Sequence, residues 1–237
     1  MTDINLDKAT ILGLDLSLNH WALVALKRHG EIARVYYASN VLKHHTKASF
    51  NPDWISHRIP KKSKGEDKWQ YTARRRHYHN CAIGILLSAF RSHCGEVYLN
   101  VEHYAYGTTT NSAYEIGELG GVVRECAWNA DISLRQTDPQ SLKMFATKGG
   151  VGKDIMIEMA KHRGLRVPAH LIGTDIEGDV ADAWWLAEML RTELRLRTGD
   201  MLMTDLDQHQ LRAFNRCTKT FPTSLLSRGF IERTATK

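Results

Sequence analysis

Residues 10–38 read TILGLDLSLNHWALVALKRHGEIARVYYA, and this stretch decides the fold. Thr10–Ser17 is short, apolar and β-prone, and it runs out through a carboxylate, Asp15. Trp21–Leu26 is a second apolar run, and Arg28-His29-Gly30-Glu31 carries the polar and glycine chemistry of a tight turn. Ile32–Ala38 forms a third run. Three such runs joined by short turns predict an antiparallel meander.

Working outward, residues 43–68 hold Pro52, Pro60, Gly65 and seven Lys/Arg, a composition that predicts a long basic loop. Helical period begins near Gln70, where Ile83, Leu86, Leu87 and Phe90 give one apolar stripe and Gly95 closes the helix. Val97–Val101 then reads as a strand running into Glu102. A helix over 112–129 and a strand over Ile132–Gln136 follow. Asp138-Pro139 has the form of an N-cap followed by proline at the first helical position. Further helices are expected from Asp154 to Arg163, ended by Gly164, and from Gly178 to Arg195. The order predicts an α/β fold: a mixed five-stranded sheet flanked by helices.

The chain has 237 residues, 43% of them apolar, enough for one large domain with a sizeable core. No apolar run approaches the ~20 residues a bilayer span needs, so no membrane association is expected. The N-terminus MTDINLDKAT lacks an apolar signal segment, which points to the cytoplasm. Cys81, Cys94, Cys126 and Cys217 form no CxxC pair and read as reduced thiols. Net charge is +6, but it is unevenly spread. Residues 43–76 carry ten Lys/Arg against three acids, and residues 191–237 carry nine against five, which leaves an acidic centre with basic appendages. Lys61, Lys62, Lys64, Arg74, Arg75 and Arg76 are accordingly candidates for contact with nucleic-acid phosphates, and Lys148 joins them from a glycine-rich turn whose backbone could approach a phosphate closely.

Four acids fall where a catalytic cluster could be built. Asp15 and Glu102 lie at strand ends, where open α/β sheets place ligands. Asp179 and Asp182 are three apart on one helix face. Packed carboxylates repel unless a cation sits among them, and oxygen-only ligation suits Mg²⁺, with Mn²⁺ as a substitute. Two such ions can activate a water and stabilise a leaving oxygen in phosphodiester hydrolysis. Each acid alone has an ordinary alternative, as a turn cap or an answer to the helix dipole.

The stretches ILGLDLSLNHWALVAL, VYLNVEHYAYG, NSAYEIGELGGVVRECA, DPQSLKMFATKGGVGKDIMIEMA and GDVADAWWLAEML together resemble, in order, the RuvC family of Holliday-junction resolvases, and within it the phage-type members. The resemblance implies an RNase H-like nuclease domain over residues 8–195, with the 43–68 loop as an insertion and residues 196–237 as a basic extension. It implies that Asp15, Glu102, Asp179 and Asp182 hold two Mg²⁺ ions, and that Lys143 and Lys153 act near the scissile phosphate. It also implies a homodimer that cuts opposed strands of branched DNA, chiefly four-way junctions, with the helix around Asn111–Trp128 in the dimer-forming region. The chain departs from the family at Asp15-Leu16-Ser17, where bacterial members usually read Asp-Pro-Gly. It also departs at Ala105, where an aromatic is expected; Tyr104 and Tyr106 flank it and could stack on bases. These departures leave a broader branched-DNA nuclease, or a non-catalytic branched-DNA scaffold, as alternatives.

Lys148-Gly-Gly-Val-Gly-Lys153 imitates a phosphate-binding loop. The next residue is Asp154 rather than Ser or Thr, and the preceding segment reads as helix rather than strand, so no nucleotide cofactor is expected. Trp184 and Trp185 read as a core and a surface neighbour on the last helix.

Overall fold

The computed structural model describes residues 4–45, 53–103, 111–150 and 152–220. The meander forms as expected: β1 (Thr10–Leu16), β2 (Trp21–Leu26) and β3 (Ile32–Ser39) pair antiparallel in sequence. β5 (Val97–Glu102) lies parallel to β1, and β6 (Ser133–Thr137) lies parallel to β5. The sheet has six strands rather than five. Residues Trp54–Arg58, inside the segment read as a basic loop, form β4, which pairs parallel with β3 at the sheet edge and gives the order β4-β3-β2-β1-β5-β6. Two prolines and three polar or charged residues hide this strand in the sequence; register with β3 makes it.

Parity along the strands sorts the core into two layers. Leu12, Leu14, Trp21, Leu23 and Leu99 face α1 (Lys68–Cys94) and α2 (Asn111–Asn129), where Ile83, Leu87, Leu119 and Val123 are buried against them. Ile11, Ala22, Val24, Val35 and Tyr98 face the opposite layer of α3 (Pro139–Ala146), α4 (Lys153–His162), α5 (Asp175–Thr198) and α6 (Gln208–Thr220). The α1 start is fixed by a capping box between Asp67 and Gln70, and Asp138 caps α3 by accepting from Gln140 N and Ser141 N.

The α5 helix crosses the sheet with helices on its outer side, so most of its residues are buried, Glu193 among them. Trp184 and Trp185 are both buried, because α5 has almost no solvent face for either to occupy. Glu193 is tolerated because Arg135 of β6 and Arg197 pair with it at 2.7 and 2.8 Å. Residues 208–220, read as part of a basic extension, form α6 and pack Phe214 against Phe145 of α3. Arg216 of α6 donates to the Asp138 and Gln140 side chains at the start of α3. Among the described residues no helix is long and apolar enough to cross a membrane.

One buried histidine ties α1 to the β1–β2 turn. His79 Nε2 lies 3.3 Å from the Leu18 carbonyl, and burial, helped by Arg75 and His20 against that hydrogen bond, pushes its pKa down to about 4. The unfolded chain takes up this proton near pH 6.5 whereas the fold resists it until about pH 4, so stability drains away as pH falls through that window. The expected loss is up to about 3 kcal/mol at 1.36 kcal/mol per unit. Urea melts at neutral and acid pH should show His79→Gln losing less than wild type; identical pH dependence would refute the assignment.

Candidate active site

The same parity that sorts the core assembles the site. Asp15 shares the α5 face of β1 with Ile11 and Gly13, and Glu102 shares that face of β5 with Tyr98 and Asn100. Parallel register pairs Leu14 with Val101, so Asp15 and Glu102 end adjacent strands side by side, close enough for each carboxyl to act on the other. Asn100 Nδ2 donates to the Leu186 carbonyl at 2.9 Å, docking β5 on α5. Asp179 and Asp182 come from the first turns of α5, beside the strand ends.

The acids sense one another strongly. Burial, then Glu102, Asp179 and Asp182, push the Asp15 carboxyl well above the ordinary carboxylate range, while Lys153 opposes. Burial and Asp182 push Glu102 up to about 7 against the pull of Asp15, Lys153 and Lys143. Burial also raises Asp182, opposed by Lys153. Such carboxyls lack enough positive charge, which is the electrostatic character of a cation site.

Lys153, the first residue of α4, supplies part of that charge. Its Nζ lies 3.2 Å from Asp179 Oδ1 and 3.2 Å from Asp182 Oδ2. Burial disfavours the ammonium, but Asp182, Asp179 and Asp15 outweigh it and raise its pKa. Gly178 gives the lysine its path, since a Cβ there would stand 2.2 Å from Lys153 Cε. Among the described residues no three acidic, histidine or cysteine side chains are arranged to grip a metal ion. The donor chemistry still fits a hard divalent cation: four carboxylates, three of them with raised pKa, drawn together with one lysine to offset them.

The other expected site residues divide. Lys143, exposed on α3, is near enough to draw down both Glu102 and Asp182. Lys61, Lys62, Lys64 and Lys148 are exposed. The arginines at the start of α1 are engaged within the chain. Arg74 pairs with Glu66 and donates to the Lys61 carbonyl, Arg76 pairs with Glu118, and Arg75, largely buried, donates to Asn19 and faces Glu115. Tyr104 and Tyr106 lie outside the described residues. Sequence reasoning missed His20, whose Nδ1 lies 3.2 Å from Asp179 Oδ2, and missed Gly178. The glycine immediately before the Asp179/Asp182 pair was the available signal for the second.

No protein-family model matches the chain, and no curated protein sequence matches it. Solved structures do. Thermus thermophilus RuvC in complex with a Holliday-junction substrate superposes with a TM-score of 0.51 at 17% identity, over 81% of this chain and 96% of that one. The chain has the RuvC fold. A second Thermus thermophilus RuvC structure gives 0.48 at 19% identity, over 80% of this chain and 96% of that one. The yeast mitochondrial Holliday-junction resolvase Ydc2 gives 0.40 at 13%, over 91% and 85%. At these identities the likeness to RuvC is one of fold.

Proposed function

We propose that this protein is a divalent-metal-dependent endonuclease of branched DNA, acting on four-way junctions as a homodimer. The observation that carries the reading is the convergence of Asp15, Glu102, Asp179 and Asp182 from two strand ends and one helix start, with Lys153 among them. The RuvC of matching fold is described in complex with a Holliday junction, which supports the choice of substrate. In this reading the four acids hold Mg²⁺ or Mn²⁺, which supplies Lewis acidity and charge neutralisation for hydrolysis. A water oxygen bonds to phosphorus in line, the P–O3′ bond breaks, and a 5′-phosphate and a 3′-hydroxyl remain. Lys153 and Lys143 offer positive charge to the phosphate as negative charge develops on it. Lys61, Lys62, Lys64 and Lys148 hold the DNA backbone without reading sequence.

Four-way, three-way, flap and linear DNAs of shared arm sequence, incubated with Mg²⁺, Mn²⁺ or EDTA, test this. Metal-dependent paired nicks in opposed strands of the four-way junction are expected. Equal cleavage of flaps and forks would replace the reading with a broader nuclease, and binding without cleavage would replace it with a scaffold.

Gly178 gives a sharper check on Lys153. Alanine there would meet only the flexible end of a lysine, so the backbone of α5 need not move. The gain in helix propensity is set against the loss of the ammonium that offsets Asp179 and Asp182. Displacing the ammonium from Asp179 and Asp182 should nonetheless slow single-turnover cleavage by roughly tenfold or more, mimicking Lys153→Ala. The two changes should be strongly non-additive in combination. Additive losses would detach Gly178 from Lys153.

A further inference from the structure

We infer that His20 is a positioning residue for Asp179 and that the β1–β2 turn is built to present it; the inference rests on reading Asp179 as a metal-site acid. The turn is closed on itself. Ser17 N donates to the His20 carbonyl at 3.0 Å, Ser17 Oγ donates to the same carbonyl at 2.9 Å, and His20 N donates back to Ser17 Oγ at 3.0 Å. It is also pinned from outside by α1. Arg75 Nη1 donates to Asn19 Oδ1 at 2.7 Å, and His79 Nε2 meets the Leu18 carbonyl at 3.3 Å. Arg75 is itself steadied by Glu115 of α2 at 3.6 Å. A hairpin needs only one such tie to set its register. Three residues of this turn are each tied, and the fourth side chain reaches the acids.

The His20 ring, 18% exposed, stands with Nδ1 3.2 Å from Asp179 Oδ2. Lys153 takes the other oxygen, Oδ1, at 3.2 Å. Asp179 is therefore flanked on both sides, and Oδ2 is fully buried with no other group reaching it in good alignment. A neutral imidazole with its proton on Nδ1 carries the donor that Oδ2 lacks. Lys153 cannot be the lasting anchor of Asp179, because its long stem is half-exposed and its ammonium competes with any divalent cation for the same oxygens. His20 sits on a fixed turn and binds the opposite edge. Outer partners of this kind hold a metal-binding carboxylate in one plane, and their loss typically costs 10–100-fold in metal affinity.

The test uses the full chain without DNA. Mn²⁺ is titrated calorimetrically into wild type, His20→Ala, His20→Asn and His20→Gln. The asparagine amide nitrogen falls near the place of Nδ1, whereas the longer glutamine overshoots it. Mn²⁺ affinity should fall roughly 10–100-fold in His20→Ala and His20→Gln and recover in His20→Asn. Junction affinity in EDTA and melting temperature should not change. Cleavage by His20→Ala should approach wild type when Mn²⁺ is raised, giving a shift in metal requirement rather than in saturated turnover. If His20→Ala does not fold, the contrast between the two amides carries the test alone. Equal Mn²⁺ affinity in all four proteins would overturn the role of His20 and leave the nuclease reading standing. A wild type that binds no Mn²⁺ would remove both.

Discussion

Asp15→Asn and Glu102→Gln should each cut four-way-junction cleavage by roughly two to three orders of magnitude while making the metal-free protein more stable. Both effects have one origin. The amides preserve shape and hydrogen bonding but remove charge from a place where burial and neighbouring acids already disfavour it. Glu102 is pushed up to about 7 from an ordinary 4.5, so at about pH 8 its ionised form costs the fold on the order of 3 kcal/mol that the unfolded chain does not pay. Glu102→Gln should recover most of that in urea melts run in EDTA. The same missing charge leaves less to hold divalent cations, and junction binding in EDTA should survive, since it depends on basic side chains elsewhere. Natural sites carry such destabilising charge where function requires it. Near-wild-type cleavage by either folded variant would end the assignment of these acids. A loss of stability would end the account of their strain. Asp182→Asn should follow the same pattern, because burial and Asp179 raise its carboxyl too, although Lys153 would lose a partner.

The parts of the molecule legible in the sequence are those that local chemistry controls. The continuous apolar runs TILGLDL and WALVAL, buried at every position, announce central strands, and the Asp138-Pro139 and Gly164 signals mark helix ends where the fold has them. Asp15 and Glu102 could be picked out because a carboxylate at the end of an apolar strand is locally conspicuous. What could not be read is set by distant partners. The β4 strand exists because β3 offers it an edge, and nothing in WISHR announces that. α6 was masked by its charges, although Phe214 and Cys217 lie one turn apart and are buried. Counting arginines at 74–76 overstated the free positive charge, because Glu66, Glu115 and Glu118 answer them from other parts of the chain. His20 fails for the same reason: it looks like an ordinary turn residue until α5 brings Asp179 beside it. The fold could be inferred from periodicity, but the surroundings of the acids required the packing.

Gly13→Ala is expected to have the largest effect on stability, and the reason is the joint on which the whole site depends. Gly13 sits two residues before Asp15 in the central part of β1, on the face that meets α5. A Cβ added there would stand 2.0 Å from the Ala183 carbonyl oxygen and 2.4 Å from the Ala187 amide nitrogen. These are backbone atoms of a buried helix, so no side-chain rotation can relieve the overlap. Either β1 bends or α5 moves off the sheet. Overpacking of this kind ordinarily costs about 1–3 kcal/mol, and a clash with rigid backbone belongs at or beyond the upper end. Relief by moving α5 would also carry Asp179 and Asp182 away from Asp15 and Glu102, and misplacement by about 1 Å at a reacting centre can cost roughly 100-fold in rate. Gly13→Ala should therefore lose stability in urea and also lose cleavage in whatever fraction stays folded. It should keep metal-free junction binding in that fraction, because the exposed lysines at 61, 62, 64 and 148 do not lie on this joint. Gly178→Ala presses only on the end of a lysine and leaves the β1–α5 spacing alone, so the pair separates loss of spacing from loss of charge. Wild-type stability in Gly13→Ala would mean that the distance between β1 and α5, and with it the distance between the two halves of the acid cluster, is set somewhere else.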